Sequence, residues 1–255
     1  MSLVDYTVDG AVATITLNRP PVNALNTELI SGIAAAVDQS DDPDIRAVVI
    51  TGEPHFAAGA DIGGFVEAFD AGPQERQSAG LLAVVAKLES LPKPTIAAVR
   101  GFALGGGLEL AMGADFRYLA DDANVGQPEI RLGLIPGAGG TQRLARIVGY
   151  QRAKEMNMTG RHISADAAAV LGLADKVLPG DELLDTAQAD AGEFAAGPTK
   201  AYAALKRAMR IGYNLPLDEA LEVERAAFAE AFATDDARIG VDAFLDKEKP
   251  TFTGC

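Results

Sequence analysis

The sequence predicts an α/β fold in which strands alternate with helices up to Pro179 and helices alone follow. Two observations carry this. Short β-branched runs recur between amphipathic helical stretches before Pro179, and none recurs after it. A third feature, a glycine cluster between a strand and a helix at residues 100–112, is where the chemistry should lie.

The elements follow in order. Residues 4–8 and 12–17 read as strands flanking Asp9-Gly10, a hairpin signal. Asn26 or Thr27 can cap a helix whose apolar face is Leu29, Ile33, Ala36 and Val37. Residues 46–51 are a buried strand, and residues 74–90 a helix with Leu81, Val84, Val85 and Leu88 on one face. Pro92 and Pro94 end it and lead into a strand at Thr95–Val99. Residues 108–113 suit a short helix, and 115–120 another strand. After the loop at 133–140, helices are expected at 141–148, 151–158 and 166–171, the last started by Ser164. A final strand is expected at 175–178. From Asp181 onward the pattern is helical, with starts at Pro198, Pro216 and Thr234-Asp235. One face there carries Leu217, Ala220, Leu221, Phe228, Ala231 and Phe232, enough to cover the parent domain or a neighbouring subunit.

The chain has 255 residues, 48% hydrophobic and 23% charged, which suits one large domain or a domain with an appendage. A formal net charge of −14 argues against nucleic acid or an anionic membrane as partner. A phosphate-bearing ligand would need local Lys or Arg working against that field. The one cysteine, Cys255, fits a reducing compartment. With no signal-peptide pattern and no apolar run of membrane-spanning length, the expectation is a cytoplasmic protein.

Ordinary nucleophilic machinery is sparse. His55 and His162 sit in no triad or metal-ligand spacing and read as surface residues. Carboxylates and backbone amides remain. Gly105-Gly106-Gly107 leads into a helix, where amides without intrahelical partners face the positive end of the dipole. Such a position suits an oxygen that gains charge during a reaction. Glu109 follows Gly106 by about 4.5 Å along the axis, at 1.5 Å per residue. A glutamate in a first turn also favours the dipole by itself, and glycines also let a helix pack closely on a sheet. Glu129, in Gln-Pro-Glu, projects from a rigid turn that a plain surface loop could equally use. Asp61 reads as a cap for a helix starting at Ile62. Neither G-x-G-x-x-G nor a Walker-type phosphate loop occurs.

Seven motifs in order remove the ambiguity. Asn18-Arg-Pro, Asn23-Ala-Leu25, Phe56-Ala-Ala-Gly-Ala-Asp-Ile62 and Gly105-Gly-Gly-Leu-Glu-Leu-Ala111 come first. Gln127-Pro-Glu129, Pro136-Gly-Ala-Gly-Gly-Thr-Gln-Arg-Leu144 and Leu245-Asp-Lys-Glu-Lys-Pro250 follow. Together the chain resembles the enoyl-CoA hydratase/isomerase (crotonase) family over essentially its whole length. Within it the chain is most like a hydratase that adds water to a 2-trans-enoyl-CoA, the alternative being a Δ3-Δ2 enoyl-CoA isomerase using Glu129 alone or another acyl-CoA reaction of the family. The resemblance implies a spiral of strand–strand–helix repeats at 1–197 and a helical oligomerisation region at 198–255. It implies a trimer or dimer of trimers, and an acyl-CoA substrate with no separate cofactor, metal, nucleic acid or membrane. It implies catalysis by Glu109 and Glu129, with the Ala60 and Gly106 amides as oxyanion donors. Contacts to substrate and CoA are implied at Val22, Ala58, Asp61, Ile62, Gly63, Phe244 and Lys247. Gly63 stands where hydratases often carry a lysine, and Pro20-Pro21 replaces a segment that can be basic.

Overall fold

The computed structural model describes residues 2–64 and 79–255. In chain order, β1 (Val4–Asp9) and β2 (Val12–Leu17) precede α1 (Thr27–Gln39), β3 (Ala47–Gly52) and α2 (Ala79–Ser90). Next come β4 (Thr95–Val99), β5 (Phe102–Leu104), α3 (Gly106–Ala111), β6 (Phe116–Ala120) and β7 (Asn124–Gly126). A 3-10 turn over Glu129–Leu132 leads to α4 (Gly140–Val148), α5 (Tyr150–Thr159), β8 (His162–Ser164), α6 (Ala165–Val170) and β9 (Lys176–Leu178). Four helices close the chain: α7 (Leu183–Ala195), α8 (Thr199–Gly212), α9 (Leu217–Phe232) and α10 (Asp235–Asp246).

The strands build two sheets. Six form the order β1-β2-β3-β4-β6-β9, parallel except for the β1–β2 hairpin. Three form β5-β7-β8, with β5 and β7 parallel and β8 antiparallel. Every residue of β3 and β4 is buried, as expected for parallel strands covered on both faces. Helix α7 packs on β2, β3, β4 and β6, while α1 packs on β1, β2 and α2. Because β4 belongs to one sheet and β5 to the other, the chain changes sheet at Arg100-Gly101. Gly101 has φ +59, and a Cβ there would lie 2.1 Å from His55 Nδ1.

Most expectations for local structure hold. Asn26 caps α1 by accepting from the Leu29 amide at 2.9 Å, and the buried face is Leu29, Ile33, Ala36 and Val37. Ser164 caps α6 and Thr234 caps α10. Helix α2 buries Leu81, Val84, Val85 and Leu88 as its spacing requires. Residues 74–78 of the helix expected over 74–90 lie outside the described residues. Other expectations move. The hairpin pairs Asp9 with Val12, so its turn is Gly10-Ala11, and Gly10 takes φ +57. Helix α3 starts at Gly106 rather than Leu108. Strands β5 and β8 were not anticipated, because three residues are too short to show alternation and exist through pairing with β7. His55 is not a surface residue: its ring stacks on Phe102 at 4.6 Å and its Nδ1 is buried without a partner among the described residues.

The last residues return to the body of the protein. Buried Asp236, in the first turn of α10, accepts from the amides of Thr253 and Gly254 at 2.7 and 2.8 Å and from the Thr253 hydroxyl at 3.1 Å. Arg46, just before β3, donates to Phe252 O, Gly197 O and Thr199 Oγ1. The tail therefore joins α10, α8 and the edge of β3.

A close backbone approach lies at Gly107, where a Cβ would sit 2.0 Å from the Ala57 carbonyl oxygen. Backbone cannot retreat as a side-chain end can. Gly107→Ala should therefore destabilise the protein by at least the ~1–3 kcal/mol usual for overpacking, read as a lower urea midpoint at unchanged slope.

Candidate active site

A cavity of about 490 Å³ opens where the two sheets meet. Three chain segments build its floor. The first, Ala57–Asp61 in sequence, is held by a lattice of backbone bonds: Ala57 N donates to Phe102 O, Leu104 N to Ala57 O, Leu25 N to Gly59 O and Asp61 N to Leu25 O, all at 2.8–3.0 Å. Gly59, at φ +98, makes the bend that these bonds demand. The second segment is the start of α3. There Gly105 takes φ +51 and Gly106 is pressed by Leu25 and Leu81, and a Cβ on Gly106 would lie 3.9 Å from the Ala60 nitrogen. The Ala60 and Gly106 amides thus edge the same space. Among the described residues neither donates to a backbone or side-chain acceptor outside its own element.

The third segment brings the carboxylates. Glu109 is only 2% exposed, in the first turn of α3. Its Oε1 accepts from the Ala138 and Gly140 amides, each at 2.7 Å. Burial pushes its carboxyl above the usual range, against the opposing pull of those two amides and of Arg143. Glu129 starts the 3-10 turn, and its Oε1 lies over Gly105, where a Cβ would come within 2.8 Å. Burial, and then the negative charge of Glu109, push its carboxyl up to about 7. Two carboxyls facing one cavity, each shifted upward, can share a proton and pass it on.

Of the residues expected to serve the site, Ala58, Ala60, Asp61, Ile62, Gly106, Glu109 and Glu129 line the cavity. Val22, Gly63, Phe244 and Lys247 do not. Val22 supports the site through its carbonyl, which accepts from the Ala58 amide. Gly63 donates its amide to Asp61 Oδ1 at 3.2 Å. Phe244 is 81% exposed on α10, and Lys247 caps that helix at φ +59. Asp61 does more than cap: it pairs with Arg19 at 2.6 Å, tying the Ala60 turn to the segment after β2. No Lys or Arg is among the described residues lining the cavity, so its polar character comes from amides and carboxylates.

Sequence reading missed Gln127. It is fully buried at the end of β7, and with its amide nitrogen toward Glu129 it donates to both carboxylate oxygens at 3.0 and 3.1 Å. The opposite orientation would set an oxygen against two acceptors. Polar, fully buried and two residues from a carboxylate, it was recognisable only once burial was known.

Comparison with known proteins bears on this geometry. The family model described as enoyl-CoA hydratase/isomerase matches residues 7–255. A probable enoyl-CoA hydratase of Mycobacterium tuberculosis (strain CDC 1551 / Oshkosh) is 44% identical over 248 residues, covering 96% of this chain and 95% of that protein. The short-chain-enoyl-CoA hydratase of Clostridium acetobutylicum is 41% identical over 247 residues, 94% of each. The crystal structure of an enoyl-CoA hydratase from Bacillus anthracis superposes with a TM-score of 0.91 at 34% identity, covering 99% of this chain and 100% of that one.

Gln127→Leu should leave Glu129 without its amide donor and so favour the protonated form. The carboxyl midpoint, followed by 13C NMR of labelled glutamate, should rise relative to the parent. An unmoved midpoint would mean that the amide does not act on Glu129.

Proposed function

The chain belongs to the enoyl-CoA hydratase/isomerase family, and on that premise we propose that it is a hydro-lyase. It adds water across the double bond of a 2-trans-enoyl-CoA to give a 3-hydroxyacyl-CoA. The observation that supports this most is the pairing of Glu109 and Glu129 on one cavity beside two unpaired amides.

The reaction needs three things at once. The thioester oxygen gains charge as water attacks the β-carbon, and the Ala60 and Gly106 amides accept that charge as preorganised donors. Glu109, fixed through Oε1, takes a proton from the attacking water with its second oxygen. Glu129 delivers a proton to the α-carbon and is returned to its protonated form by the proton that Glu109 took up. Hydroxyl to the β-carbon and hydrogen to the α-carbon account for the whole water molecule. No electron transfer is involved, so the reaction calls for no redox cofactor.

Substrate recognition belongs to the same reading. Ala58, Asp61 and Ile62 line the cavity beside Ala60 and contact the CoA portion. With no cation among the described residues of the cavity lining, the Phe244 and Lys247 contacts come from α10 of a second copy. Residues 198–255 then serve oligomerisation, as trimer or dimer of trimers. Leu217, Leu221, Phe228 and Phe232 support this, since all four stand exposed on α9. A face of that size left in water is unusual for a monomer. A cytoplasmic setting completes the reading, in keeping with a single exposed thiol.

Three measurements test the proposal. Glu109→Gln and Glu129→Gln should each lower hydration of a 2-enoyl-CoA by roughly 10²–10⁴, and the double variant by far less than the product. Wild-type hydration by Glu109→Gln would exclude the two-carboxylate mechanism. Retained 3-enoyl to 2-enoyl conversion by that variant, with hydration absent from the parent, would mark an isomerase instead. In the parent, kcat/KM should rise as Glu109 ionises and fall by about tenfold per pH unit above about 7, as Glu129 loses its proton. Light scattering at micromolar concentration should give a multiple of the 26.5 kDa chain, and a monomer would refute the oligomer.

A further inference from the structure

The loop that holds Glu109 is itself held. Its two donating amides, of Ala138 and Gly140, flank Gly139, whose φ of +108 only glycine adopts without strain. A Cβ there would also lie 2.0 Å from Arg143 Nη1, so the arginine occupies the space beside the loop. The Arg143 guanidinium, one turn into α4, therefore lies against the loop. Nη1 donates to the Ala138 carbonyl at 3.1 Å, and Nη2 donates to Glu89 Oε2 at 2.7 Å from the last turn of α2. The side chain is only 16% exposed, and its Nε is buried without a partner among the described residues. A brace between two helices would not require a charge so poorly satisfied. Among the described residues it is, however, the one cation acting on Glu109, and it acts against burial.

We propose that Arg143 is a positioning residue for hydration: braced by Glu89, it pins the Ala138–Gly140 loop so that both amides hold Glu109 in its basic, water-facing form. This rests on the hydration reading. Among the described residues, the charged groups bearing on Glu109 are Glu129 from the 3-10 turn, Arg143 from α4, and Glu89 of α2 through its pair with Arg143. Glu129 disfavours charge on Glu109 and Arg143 favours it. Loss of Arg143 therefore shifts Glu109 toward its protonated form, and the enzyme must reach higher pH before the base is available.

The test is the pH profile of kcat/KM for Arg143→Met and Arg143→Lys beside the parent, with folding checked by thermal melts. In Arg143→Met the ascending limb should move upward by about one pH unit or more, the scale of a lost neighbouring cation. kcat should fall about 10- to 100-fold with KM changed by less than about threefold, since only geometry and protonation at the reacting end are altered. In Arg143→Lys the charge persists without the fork that spans carbonyl and carboxylate. Its limb should stay near that of the parent while kcat still falls by about tenfold. A folded Arg143→Met enzyme with an unmoved limb overturns the proposal. So does Arg143→Lys at parental kcat, which decides the matter should Arg143→Met fail to fold. If the parent does not hydrate any enoyl-CoA, the function is wrong but this inference is still decided. The Glu109 carboxyl midpoint by 13C NMR must then rise in Arg143→Met, and an unchanged midpoint refutes the role.

Discussion

The structure depends on the contact between Gly107 and the Ala57 carbonyl. It allows the first turn of α3 to lie directly on the strand-like segment that ends at Ala60. The Ala57–Ala103 bridge and the bonds of Ala57 to Phe102 and Leu104 lock that crossing from the other side. Everything chemical follows from the crossing. The Gly106 and Ala60 amides come together because their segments cannot be further apart, and Glu109, one turn on, is carried into the cavity by the same helix. A methyl group at residue 107 would separate two amides by pushing on a peptide group, which has nowhere to go.

The two carboxylates show how the site handles charge in a chain of net charge −14. Among the described residues, neither Glu109 nor Glu129 is neutralised by a direct ion pair. Each instead meets neutral donors: backbone amides for Glu109, and the Gln127 amide for Glu129. Neutral donors fix orientation while leaving the proton affinity high, whereas a direct salt bridge would have driven both groups to permanent ionisation. The nearest guanidinium, Arg143, is set behind the loop and engaged by Glu89.

Most of this was legible in the sequence where a residue's local pattern and its tertiary role agree. The face of α1, the face of α2 and the caps at Asn26, Ser164 and Thr234 follow from spacing and side-chain chemistry alone. The glycine cluster and Glu109 were legible as an amide-rich helix start, but not as buried, because a six-residue helix has no periodicity to reveal its orientation. Strands β5 and β8 exist only through β7, and His55 looked like a turn residue until Phe102 was seen to cover it. Gln127, Arg143 and the Arg19–Asp61 pair were hidden for one reason. Each acts across 2 to 54 residues of sequence through a bond that no local pattern encodes.

The tail held by Asp236 gives the protein a built-in reporter. Cys255 is its one thiol and stands exposed, yet the two residues before it are bonded to the first turn of α10. A maleimide dye placed there would not tumble on a loose end. Its anisotropy would follow α10 itself, so a label at the very end of the chain would report the motion of a helix rather than of a tail.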